Sequence, residues 1–175
     1  MLFHPAILRL QSTVRERRAL LLVLVLTLLL VQPTLGRAEN SAPYSGTVTL
    51  ETGKPFNAYV KSFRKAIKAN GFNVVGVACA KCAIKSRFNE KVAGNRVFMF
   101  FRPDYARRML QASIAAGIEA PLRAYVTETP DGTAKLTYRL PSHVFGAYDV
   151  TALTKMGEEL DDRVAKLVED AANGA

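Results

Sequence analysis

The stretch PFNAYVKSFRKAIKANGFNVVGV, Pro55 to Val77, decides the fold, because the apolar pattern changes period partway along it. Phe56, Val60, Phe63 and Ile67 recur at the spacing that lines one face of a helix. Pro55 suits the first turn of that helix, where its missing N–H costs nothing, and Asn70-Gly71 supplies a left-handed stop. From Phe72 to Val77 the chain turns apolar and β-branched, which predicts a buried strand directly after the helix.

Working outward, Thr47 to Thr49 sit in a β-branched run that predicts a first strand ended by Gly53. Downstream, Arg96 to Arg102 reads Arg-Val-Phe-Met-Phe-Phe-Arg and predicts another strand, which Pro103 ends. Pro103 also opens a second helix, with Ala106, Met109, Leu110, Ser113 and Ile114 on one face and Gly117 as its close. Leu122–Thr129 and Ala134–Leu140 form a predicted hairpin through Pro130-Asp131-Gly132. A long helix follows from Thr151, its N-cap, to about Ala172, with Leu153, Met156, Leu160, Val164, Leu167 and Val168 as the apolar stripe. This order predicts an α+β fold of two layers, a mostly antiparallel sheet with helices packed on one face. A doubly wound parallel sheet is the weaker alternative.

Gly71-Phe72-x-Val74-Val75, the aromatic strand running into Pro103, Ala120-Pro121-Leu122-Arg123, Asp131-Gly132 and Leu140-Pro141 occur in this order around the same predicted elements. In this the chain resembles the domain-of-unknown-function 302 family over roughly Val48 to Val168. The resemblance implies a sheet-and-helix fold of the TATA-binding-protein-like class, often paired as a homodimer. It implies no established reaction, and no catalytic residue carries over.

At the N-terminus, Arg15, Arg17 and Arg18 precede the 13-residue near-apolar run Ala19–Val31. A membrane-crossing helix needs roughly 20 apolar residues, whereas the apolar region of a signal peptide needs about 7 to 15. Gly36-Arg37-Ala38 then places small residues at the two positions a signal peptidase reads. The expected product loses residues 1–38 by cleavage between Ala38 and Glu39 and is periplasmic or secreted; an uncleaved anchor is the alternative. Residues 39–45 read as a flexible mature N-terminus and 46–172 as a single domain.

Loss of the leader lowers the net charge from +9 to +5, since five arginines leave with it against Glu16. What remains is uneven: Lys81–Arg108 holds eight basic residues against Glu90 and Asp104, and the C-terminal helix is acidic. Such faces are ordinarily solvated, but a basic one also suits a small anion or an anionic membrane surface. Export argues against nucleic acid as a partner.

Cys79-Ala80-Lys81-Cys82 contains both cysteines and follows the strand Phe72–Val77. Thiols at this spacing can close a structural disulfide, exchange one, or hold a soft ion such as Cu(I). Haem attachment is excluded because Ala83 stands where histidine is required. A closed zinc site lacks ligands, since His143 is the one histidine after the leader. Met99, Met109 and Met156 fall on predicted apolar faces and read as core. Arg102, beside Pro103 at a helix start, is a candidate anion-binding residue, and so is Arg123, which shares a basic stripe with Arg139 unless Glu119 or Glu128 pairs with them. Arg107 and Arg108 read as solvated, and His143 as a structural residue.

No hydrolase elbow, phosphate loop, zinc-protease helix or dinucleotide fingerprint is present in the sequence. The first reading is a periplasmic binding or interaction domain, with a small ligand or a protein as partner and a pocket between sheet and helices. A thiol-dependent redox or Cu(I)-handling protein using Cys79 and Cys82 is second. An enzyme using Arg102 and His143 is third.

Overall fold

The computed structural model describes residues 44–174. The leader, the Ala38/Glu39 cleavage site and most of the segment 39–45 lie outside the described residues. The elements in chain order are β1 (Thr47–Pro55), α1 (Phe56–Ala69), β2 (Asn73–Ala78), α2 (Ala80–Phe88), β3 (Asn95–Phe101) and α3 (Pro103–Ala112). A 3-10 turn (Ala115–Glu119), β4 (Leu122–Glu128), β5 (Thr133–Arg139), α4 (Pro141–Gly146) and α5 (Thr151–Asn173) complete it.

The five strands form one open sheet in the order β1-β5-β4-β3-β2, with every neighbouring pair antiparallel. That is the α+β architecture expected from the element order, and it excludes the doubly wound alternative. Alternation along the central strands turns Phe98, Phe100, Ala124, Val126, Ala134 and Leu136 to one face, where they are buried. Helix α1 covers this face with Phe56, Tyr59, Phe63, Ala66 and Ile67, and α5 packs alongside with Leu153, Met156, Leu160 and Leu167. Phe63 anchors the seam, its ring edge-on to Phe98 at 5.1 Å and stacked with Tyr59 at 5.8 Å.

The junction after α1 follows the sequence closely. Gly71 has φ +77°, its N–H donates to the Lys68 carbonyl, and the Phe72 N–H donates to the Ile67 carbonyl, both at 3.0 Å. This double closure satisfies two carbonyls that a helix end otherwise leaves open, and it drops Phe72 against Phe100.

Other expectations are corrected. Strand β1 does not stop at Gly53: it continues to Pro55 through a bulge between Glu51 and Pro55, where Gly53 takes φ +64°. Strand β2 is an edge strand and only half-buried, so its apolar run reflects one covered face. Helix α3 ends at Ala112 because Ser113 is extended, and Ile114 therefore leaves the helical face and is 84% exposed; Leu110 is exposed too. Val150, not Thr151, occupies the N-cap of α5, without a side-chain cap. Helices α2 and α4 were not anticipated: α2 has no buried residue to mark a stripe, and α4 has only six residues.

Candidate functional site

The sheet face opposite the helices presents Thr47, Val97, Met99, Arg123, Tyr125, Thr137 and Arg139. Register places Thr47 opposite Arg139, Met99 opposite Arg123 and Val97 opposite Tyr125. Pairing of Ala124 with Tyr138 brings Arg123 and Arg139 to the same end of β4 and β5. There they line an open hollow of about 390 Å³ together with Tyr44, Tyr125, Thr137 and Glu119. Both arginines are exposed, and among the described residues neither forms an ion pair. The Arg139 guanidinium lies 5.2 Å from the Tyr44 ring centre. The acids that the sequence offered as partners are engaged elsewhere. Glu128 accepts the Gly94 N–H at 2.6 Å and lies 3.7 Å from Lys81, while Glu119 accepts the Tyr148 hydroxyl at 3.2 Å. Burial and the Glu119 carboxylate push the Tyr148 phenol up from its ordinary pKa, which keeps it the donor.

Arg102 takes a different part from the one its position suggested. Its Nε and Nη2 donate to the two carboxylate oxygens of Asp104 at 3.1 and 2.9 Å, and its plane lies over the rings of Phe72 and Tyr105. The anion at this helix start is thus the chain's own Asp104, whose carboxyl the guanidinium holds below the usual range. Arg102 and Arg123 lie in separate surroundings.

Cys79 and Cys82 form a disulfide with their Cα atoms 5.3 Å apart. Cys79 is the N-cap of α2, and its Sγ accepts the Cys82 N–H at 3.0 Å. The Lys81 N–H donates to Asn95 Oδ1 at 3.1 Å, tying the first turn to β3. Cys82 is exposed and Cys79 half-buried. No group of three or more His, Cys, Asp or Glu side chains able to hold a metal occurs among the described residues.

A polar cluster between α3 and α5 had no signal in the sequence, because its members are more than 50 residues apart. Arg108, read as solvated, grips Glu159 with both terminal nitrogens at 2.6 and 2.9 Å. Tyr105 donates to Glu159 at 3.4 Å and accepts from Arg163 Nε at 3.3 Å. Arg108 holds the Glu159 carboxyl below its ordinary pKa. With two guanidinium groups around one carboxylate and one phenol, the cluster joins α3 to α5.

A pocket between sheet and helices was expected. In its place is an apolar crevice of about 30 Å³ beside Phe72, Tyr105, Met109 and Phe145. That is room for about one or two water molecules, too little for an organic ligand. Met109 and Met156 are core residues, whereas Met99 is half-buried on the open sheet face. His143 lies exposed on α4 with its ring over Gly46, where a side chain would collide with it. Arg102 and His143 therefore belong to separate environments.

Residues 47–171 match the family model described as Domain of unknown function DUF302. No curated protein matches the chain. Among solved structures, the crystal structure of an uncharacterized conserved DUF302 protein from Bacillus stearothermophilus superposes with a TM-score of 0.66 at 17% identity. The match covers 73% of this chain and 99% of that one. At that identity the likeness is one of fold.

Proposed function

The chain belongs to the DUF302 family, and on that premise we propose that it is an exported binding domain whose open sheet face receives a small anionic ligand. The observation that carries this reading is the exposed pair Arg123 and Arg139 in the hollow, with no acid paired to either among the described residues. Like charges on neighbouring strands repel, so the arrangement lowers the stability of the empty protein and favours an anion that bridges them. Guanidinium groups grip carboxylate and phosphate with two parallel hydrogen bonds. Tyr44 and Tyr125 add flat apolar surface beside them. Glu119, which also lines the hollow, disfavours an extended polyanion, which points to a ligand with one compact anionic group. Export rests on the leader, from Arg15 through the run ending at Val31 to Ala38.

The test is calorimetry with inorganic phosphate and with benzoate. Binding to the unaltered protein, with R123Q and R139Q each weakening it about tenfold, supports the reading; hydrogen bonds to charged groups are worth about 1.5–3 kcal/mol. Equal binding by all three proteins overturns it. Titration with anionic phospholipid vesicles separates a small ligand from a membrane surface, and gel filtration with and without phosphate separates it from a second copy of the chain.

The second reading is thiol exchange or Cu(I) binding by Cys79 and Cys82. One observation favours it: the disulfide lies at the surface on a helix without buried residues, rather than sealed in the core. Two thiolates suffice for Cu(I), so the reduced protein offers a ligand pair without a third residue.

A further inference from the structure

We propose that Cys79–Cys82 is a sided thiol–disulfide exchange site: an incoming thiolate attacks Cys82, and Cys79 departs as the stabilised thiolate. The proposal rests on the thiol reading above and adds which sulfur does what. Three observations carry it.

The two cysteine residues are exposed differently. Cys82 is open to solvent while Cys79 is half-buried at the end of β2, so a partner reaches Cys82 first. The sulfurs also differ in what faces them. Cys79 stands at the N-cap, where its Sγ already accepts the Cys82 N–H at 3.0 Å and meets the positive end of α2. Finally, the surrounding field is positive. Helix α2 carries Lys81, Lys85 and Arg87 and no acidic residue. Among the described residues, Glu128 of β4 forms an ion pair with it, 3.7 Å from the Lys81 ammonium. The backbone amide and the helix terminus persist whatever Glu128 does.

The exchange balances as follows. A partner dithiol supplies a thiolate that bonds to Cys82 Sγ, and the Cys79–Cys82 bond breaks with its electron pair left on Cys79 Sγ. The partner's second thiolate then bonds to the partner sulfur in this mixed disulfide, and Cys82 Sγ leaves with its electron pair and takes a proton from water. The partner dithiol is oxidised to a disulfide, and the protein disulfide is reduced by the same two electrons. A better-stabilised leaving thiolate departs faster, and it is Cys79 that faces the backbone amide and the helix start. Run backwards, the Cys82 thiolate attacks the oxidised partner's disulfide, and the Cys79 thiolate then closes on Cys82 Sγ and expels the partner sulfur bound there as a thiolate.

The test uses the protein as isolated from expressing cells. It is exposed briefly to reduced glutathione, quenched with acid and mapped by mass spectrometry. Glutathione on Cys82 with Cys79 free supports the proposal. Glutathione on Cys79, or divided evenly, overturns the sidedness while leaving thiol exchange intact. A disulfide that excess dithiothreitol does not reduce in the folded protein overturns both. Thiolate absorbance at pH 7 gives an independent readout, since the Cys82 amide survives in C82S. Cys79 in C82S should show a thiolate fraction about tenfold above that of Cys82 in C79S, and equal fractions would also overturn the assignment.

Discussion

Arg102 shows how much a single guanidinium does when it is anchored. It closes on Asp104, donates to the Asn70 carbonyl at 3.4 Å and covers two aromatic rings, so it ties the end of α1 to the start of α3. Because this contact lowers the Asp104 pKa, the folded state favours the carboxylate. Its contribution is therefore complete above the ordinary aspartate range near about 4 and is lost as pH falls through the lower folded value. Asp104 is mostly exposed, so solvent screens the pair, and D104N should cost no more than about 1 kcal/mol at neutral pH. A thermal melt series from pH 6 to 2 checks this: the acid-induced loss of stability should be shallower in D104N, and identical curves would show the pair to be idle. Sequence located Arg102 at a helix start but gave it a free charge, since the bidentate contact depends on side-chain direction.

Among the elements, α4 and α5 meet more closely than any apolar stripe announces. A Cβ on Gly157 would lie 2.7 Å from Ser142 Cα and 3.0 Å from the Pro141 carbonyl oxygen, both backbone atoms that cannot rotate away. Glycine inside a helix normally costs about 1 kcal/mol against alanine, so its presence in α5 is explained by this approach. G157A is expected to destabilise by roughly 1–3 kcal/mol despite its better propensity. Urea unfolding monitored by circular dichroism measures it, and a stabilised variant would show that α4 gives way freely. The stripe of α5 was legible because its bulky members repeat along the chain. Gly157 was not, because a missing side chain gains meaning only from the backbone opposite.

For the whole molecule, the proposed function depends on which sheet face is left uncovered. The helices take the face bearing Phe98, Phe100 and Leu136, and the face bearing Arg123, Tyr125 and Arg139 stays open. No helix among the described residues is long and apolar enough to cross a membrane. The 13-residue apolar run Ala19–Val31 and the small residues Gly36 and Ala38 lead to the prediction that the isolated protein begins at Glu39. N-terminal sequencing of material from an exporting cell checks it; a product starting at Met1 would mean that the leader is retained as an anchor.

By itself the sequence determined the α+β class, the helix from Phe56 with its glycine stop, the hairpin around Asp131-Gly132 and the long final helix. Each is written in local periodicity or turn chemistry, which a neighbour three or four residues away is enough to express. Tertiary structure decided the rest. Strand order placed β2 at an edge and joined β1 to β5, contacts made by residues about 90 positions apart. The register of the β4–β5 hairpin set Arg123 beside Arg139, and alternation along β3 turned Met99 away from the core. The cysteine pair was visible from its spacing, but the cap that distinguishes Cys79 from Cys82 exists only once α2 forms beneath them. Charges and thiols acquire a role from what faces them, and that is fixed by packing between segments that no local pattern connects.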